Sequence, residues 1–179
     1  MEDRLKAVIF VKGHEYYVDI FGYTTKGVPG VEIIGARSFS RPLKEKLIYL
    51  SKMCQIRFPR LRYVLCIETD LPNKIFEEGI RWCELPLLIL FWSLANIIPL
   101  KSLSGCVTSG KLSVQGDVVC PVVSDGMLKE FLEDKVILPP SSYSGDDYYL
   151  FDLEMIFQNY SYFSIKTIDL DLGHKKVVS

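Results

Sequence analysis

Residues 85–100, LPLLILFWSLANIIPL, decide how the rest of this 179-residue sequence is read. The run is apolar on nearly every side, which leaves two readings: a membrane span, or a helix buried in a protein core. It falls short of the roughly 20 apolar residues a span needs, and it carries Ser93 and Asn96. Pro86 and Pro99 bracket it. A buried helix is therefore expected, starting near Glu84-Leu85-Pro86. Proline is tolerated in a first turn, and a carboxylate complements the positive end of the helix. Pro99 helps to end it. Such a helix must be covered on most sides, so the remaining elements have to pack around it.

Upstream, the pattern is mainly that of strands. Residues 5–11 (LKAVIFV) and 15–21 (EYYVDIF) are β-branched, aromatic and apolar, and Lys12-Gly13-His14 separates them with turn chemistry. Residues 31–35 (VEIIG) give a third short strand, so an antiparallel meander is expected at the start. Between 41 and 54 the period changes: Leu43, Leu47, Leu50 and Cys54 recur at helical spacing. Ser40 is the expected N-cap and Pro42 fits the first turn. Residues 62–68 (RYVLCIE) return to a strand, and 71–81 reads as a loop.

Downstream, residues 104–122 alternate apolar pairs with glycines, and Gln115-Gly116-Asp117 reads as a turn between two strands. A short helix is expected over 125–133 and a strand at 136–138. A loop over 141–147, a helix over 149–159 and a strand over 162–170 follow. Helices and strands are mixed, with the strands clustered early. That favours an α+β or mixed α/β domain over a bundle or a sandwich.

Composition narrows the function classes. Twenty-one basic residues face 22 acidic ones, for a net charge of −1, so strong non-specific nucleic-acid binding has no overall electrostatic basis. The five cysteines are odd in number and form no C-x-x-C pair, which argues against a disulfide framework or a zinc knuckle. No secretory signal is visible, and a cytoplasmic protein without membrane contact, metal or cofactor is expected. His14 and His174 fall in a turn and in the tail, where neither suits a catalytic triad. One local patch stands out. Arg57, Arg60 and Arg62 surround Pro59, with Phe58 and Tyr63 interleaved, and Arg41 and Lys44 (with Arg37 and Lys46) extend it. Arginines with aromatics can hold a single strand through phosphates and stacking.

Several phrases, in order, resemble one family. They are VDI with GVPGVEIIG (18–20 and 27–35), FPRLRYVLCI (58–67), ELPLLILFWSLANIIPL (84–100) and SGKLSVQGDVVCPV (109–122). The pattern is similar to the N-terminal domain of ComM and related magnesium-chelatase-like ATPases, whose fold is shared by the Lon proteolytic domain. DGMLKEFL (125–132) then resembles the Lon phrase that carries its catalytic lysine. The resemblance implies a mainly antiparallel or mixed sheet with helices on one face over residues 1–140. The helix and strand of 141–179 would pack on the same domain. It also places Lys129 at the Lon lysine and Cys83 in the region of the Lon serine, as vestigial candidates for a dyad. The ATPase half is missing: no G-x-x-x-x-G-K-[ST] occurs, so no nucleotide is expected. The expected role is a non-catalytic interaction or assembly module, associating with itself or another protein, with DNA as a further partner. The alternatives are a degenerate Ser/Cys–Lys peptidase and a small DNA-binding accessory protein.

Overall fold

The structure is a computed structural model that describes residues 1–98, 100–123, 135–142 and 149–170. The expected helix over 125–133, Lys129 within it, and most of the expected loop over 141–147 lie outside the described residues.

Strands β1 (Glu2–Val11) and β2 (His14–Thr25) form the hairpin that the apolar runs predict. Lys12 and Gly13 make its two-residue turn at φ of 50° and 79°, matching the right-handed twist of the strands. The expected meander stops there. Strand β3 (Gly30–Ile34) does not join β2. The chain instead crosses through helix α1 (Ser40–Met53) to strand β4 (Arg62–Glu68), which pairs antiparallel with β2 and leaves β3 parallel on its outer side. Burial explains the order. Tyr63 to Ile67 of β4 are all buried, so that strand needs neighbours on both sides, whereas β3 buries only Ile33 and suits an edge.

On the far side of β1 the sheet grows by parallel pairing. It adds β5 (Cys106–Thr108), β8 (Lys135–Leu138) and β9 (Tyr149–Asp152), giving the order β3-β4-β2-β1-β5-β8-β9. A second sheet, β10-β7-β6, is built from β6 (Lys111–Leu112), β7 (Asp117–Pro121) and β10 (Ser164–Ile168). Its β6–β7 turn runs through Gly116, as the sequence indicates. The molecule is thus an α+β fold with a mixed main sheet, antiparallel at its centre and parallel on both flanks.

The helices lie on one face of that sheet. Residues 71–81 are not a loop: Asn73–Gly79 form helix α2, and a 3-10 turn follows at Ile80–Cys83. Seven residues are too few to show a period, yet Phe76, Gly79 and Ile80 are buried. A Cβ on Gly79 would come within 2.8 Å of Val11 and 3.0 Å of Ile9, so the end of α2 touches β1 directly. Helix α3 (Glu84–Leu94) is the apolar run, and all eleven of its residues are buried. It ends before Pro99. Asn96 adopts φ 56°, Asn96 N–H donates to Ser93 O at 2.9 Å, and Ile97 N–H donates to Trp92 O at 2.8 Å. That is the left-handed C-terminal cap usually made by glycine. Ser40 does not cap α1: a 3-10 turn at Arg37–Phe39 leads straight in, and Ser40 is already helical.

One side of α3 rests on β1, β2 and β4. On the other side Trp92 meets Phe157, Tyr160 and Phe163, with ring centroids 5.7, 5.1 and 5.8 Å away. Those aromatics follow from a corrected element. The helix expected over 149–159 is strand β9 and then a five-residue helix α4 (Leu153–Phe157), capped by the Asp152 carboxylate, which accepts from Glu154 N–H at 2.7 Å. Pairing of β9 with β8 outweighs the helical spacing of its residues. Among the described residues no helix is long and apolar enough to cross a membrane.

Candidate functional site

The start of α3 carries the most concentrated chemistry. Glu84 is 2% exposed, and its carboxylate accepts from three donors. Oε1 takes Lys46 Nζ at 2.6 Å and Arg81 Nε at 3.2 Å, and Oε2 takes the Leu112 N–H at 2.7 Å. Lys46 also donates to Leu112 O at 3.1 Å. Two backbone bonds brace the same corner: Leu85 N–H to Gly110 O and Gly110 N–H to Trp82 O, both 3.1 Å. One buried carboxylate therefore ties α1, the 3-10 turn, α3 and β6 together. Lys111 lies beside it, with Nζ 4.1 Å from the centre of the Trp82 ring. Burial lowers the proton affinity of Lys111, the charge of Arg81 lowers it further, and Glu84 opposes both.

Cys83, the vestigial nucleophile candidate, is wholly buried in this corner. Burial, and then the charge of Glu84, push its thiol up to about 12. Such a thiol is protonated at neutral pH and sealed from solvent, the reverse of an activated cysteine. Its candidate partner Lys129 lies outside the described residues.

The basic candidates do not converge. Arg41 and Lys44 sit in the first turns of α1, with Lys44 Nζ 3.6 Å from Glu45. Arg57 and Arg60 are exposed on the connection that follows the other end of this 14-residue helix, roughly 20 Å away by helical rise. Arg62 starts β4 on the opposite side of the sheet and is paired with Glu32. The interleaved aromatics point into the core. Phe58 stacks on Phe91 at 4.5 Å, and Tyr63 is 2% exposed with its hydroxyl donating to Pro59 O at 3.1 Å. Of the extending residues, Lys46 is committed to Glu84, and the Arg37 guanidinium lies 5.7 Å from the centre of the Phe76 ring.

Sequence reasoning missed the face of the sheet that the helices leave uncovered. Register puts Glu2, Tyr23, Val64 and Glu32 in one row across β1, β2, β4 and β3, and Arg4, Phe21, Cys66 and Ile34 in the next row on the same face. Phe21 is 39%, Tyr23 41% and Ile34 47% exposed, while Val64 and Cys66 form the floor between them. Arg62, Glu68, Lys6 and Asp19 extend the rim along the strands. A cleft of about 610 Å³ runs along this face, lined by Arg4, Lys6, Asp19, Phe21, Glu68 and Ser104 among others. A signal was present in β2, where the solvent-side positions of a half-buried strand hold Phe21 and Tyr23 rather than polar residues.

Among the described residues no group of three or more His, Cys, Asp or Glu side chains is placed to hold a metal ion. No known family model matches this sequence, and no curated protein matches it.

Proposed function

We propose that this chain is a non-catalytic assembly module, related to the ComM-type N-terminal domain, that docks through the uncovered face of its main sheet onto a second copy of itself. The observation that carries this reading is the apolar centre of Phe21, Tyr23 and Ile34 within a rim of both charge signs. An apolar centre with a polar rim is the usual anatomy of a protein interface.

The charge order supports a second copy rather than a strongly charged partner. Along this face β1 runs from acidic Glu2 to basic Arg4 and Lys6, and β4 runs from basic Arg62 to acidic Glu68. A twofold axis across the strands, between the Glu2 and Arg4 rows, sets Tyr23 over Phe21 and Val64 over Cys66. It also sets Glu2 against Arg4 and Arg62 against Glu68. The β1, β2 and β4 parts of the patch are then self-complementary, as a twofold interface requires, while on the edge strand Glu32 comes over Ile34; two sheets would face each other as in an aligned sandwich.

Light scattering on the eluting protein tests this. A dimer is expected for the native chain and a monomer for Phe21→Asp. Glu2→Arg alone should weaken the dimer, and Glu2→Arg with Arg4→Glu in one chain should restore it. A native monomer at high micromolar concentration, or a dimer indifferent to Phe21→Asp, overturns the proposal.

A further inference from the structure

We infer that Arg81 and Lys111 form a receiving pair for a small phosphate-type oxyanion, on the helix side of the sheet and away from the proposed dimer face. The inference starts from a charge imbalance in the Glu84 corner. Lys46 and Arg81 both bond to Glu84 Oε1, and Lys111 feels the charge of the same carboxylate. Three cations thus share one anion. Lys46 is the partner Glu84 holds most closely, at 2.6 Å, with a side chain only 20% exposed. Arg81 reaches Glu84 through Nε alone, and its side chain is 57% exposed, so the outer guanidinium nitrogens take no part in that bond. Among the described residues no second carboxylate pairs with Arg81 or Lys111.

Lys111 is the other half of the pair. Its ammonium is held over the Trp82 ring, next in sequence to Arg81. Gly110 fixes that position, since its backbone bonds to Trp82 and Leu85 anchor the residue just before Lys111. Partial burial of Lys111, and then the charge of Arg81, both disfavour its protonated form. An anion between them would offset both costs at once. Arginine supplies a planar set of donors suited to phosphate oxygens, and lysine adds a point charge. The corner holds three cations against one carboxylate, and that excess of positive charge matches a doubly charged oxyanion better than a single carboxylate.

Inorganic phosphate is the probe, titrated at constant ionic strength while the Lys111 and Leu112 amides and the Arg81 Nε–H are followed by nitrogen–proton NMR. A saturable shift confined to this corner is expected. Arg81→Gln and Lys111→Gln should each weaken it about tenfold, the effect of losing one hydrogen bond to a charged group, and Arg81→Lys should retain part of the binding. Arg81 is exposed and Glu84 keeps Lys46 and Leu112, so these variants should fold, as their melting curves would verify. Overturning results are an equal shift with chloride, a shift with acetate but none with phosphate, no saturation through the tens-of-millimolar range, or unchanged binding in both glutamine variants.

Discussion

Removing the Glu84 charge would strand Lys46 in a half-buried corner and leave Arg81 without its anion. Breaking a buried pair from one side is costly, so Glu84→Gln should lower stability by about 3 kcal/mol, measured by urea unfolding. Lys46→Met should cost less, because Glu84 keeps Arg81 and the Leu112 N–H. The reverse order would contradict the role given to the carboxylate. The cysteines make a second prediction at this scale. Burial pushes Cys83 and Cys120 up to about 12 in the folded chain, against an ordinary value of 9.0. Their folded affinity for the proton exceeds the unfolded one, so they cost no stability below pH 9.0. The unfolded thiols ionise first as pH rises, and stability should fall across the window from 9.0 to about 12. Unfolding midpoints in reductant across that window would check the sign. Glu84 was legible from sequence only as a favourable charge at a helix start. Its bonds to Lys46 and Leu112 join residues 38 and 28 positions apart, which no local pattern reveals.

At the scale of elements, the turn at Gly116 is a sharp local constraint. It has φ +89°, and a Cβ there would overlap the Tyr162 carbonyl oxygen. Gly116 O also accepts from Ser164 N–H at 2.9 Å, so the turn sets where β10 begins. Gly116→Ala should cost at least about 1–2 kcal/mol, the scale of a left-handed conformation for a residue with a side chain, and a melting curve unchanged from the native one would refute this. The basic residues give a different test. Arg41 and Lys44 lie at one end of α1, Arg57 and Arg60 lie beyond the other, and Arg62 is paired across the sheet. Phosphate contacts add only when one strand can reach them together. Fluorescence anisotropy with forked or single-stranded DNA should therefore show no tight, salt-steep binding, and a signal lost on Arg57→Ala with Arg60→Ala would reverse that reading. Elements with a strong period or unmistakable turn residues were legible: the first hairpin, α1, β4, α3 and the turn at Gly116. Short elements were not. The seven residues of α2 hid in polar sequence, and β9 carried a helix-like spacing that sheet pairing overrode.

Over the whole molecule, the described part of the C-terminal segment closes the core. Trp92 is fully buried; its indole N–H donates to Ser51 Oγ at 2.9 Å, and Phe157, Tyr160 and Phe163 cover its ring. Strand β10 completes the smaller sheet by pairing with β7, and β9 completes the larger one. A chain ending at residue 148 would expose α3 on its outer side. It should lose cooperative unfolding and bind hydrophobic dyes, whereas a sharp native-like transition would mean that residues 1–148 suffice.

By itself, the sequence determined the class of the fold and the place of its central helix. A run that is apolar all round and too short for a membrane has to be buried, and alternating strands around it have to supply the cover. Only the tertiary structure decided that β4 lies between β2 and β3, that Glu84 gathers three donors, and that Phe21 and Tyr23 share an open face. Each of these depends on which distant segments meet, and local periodicity carries no information about that.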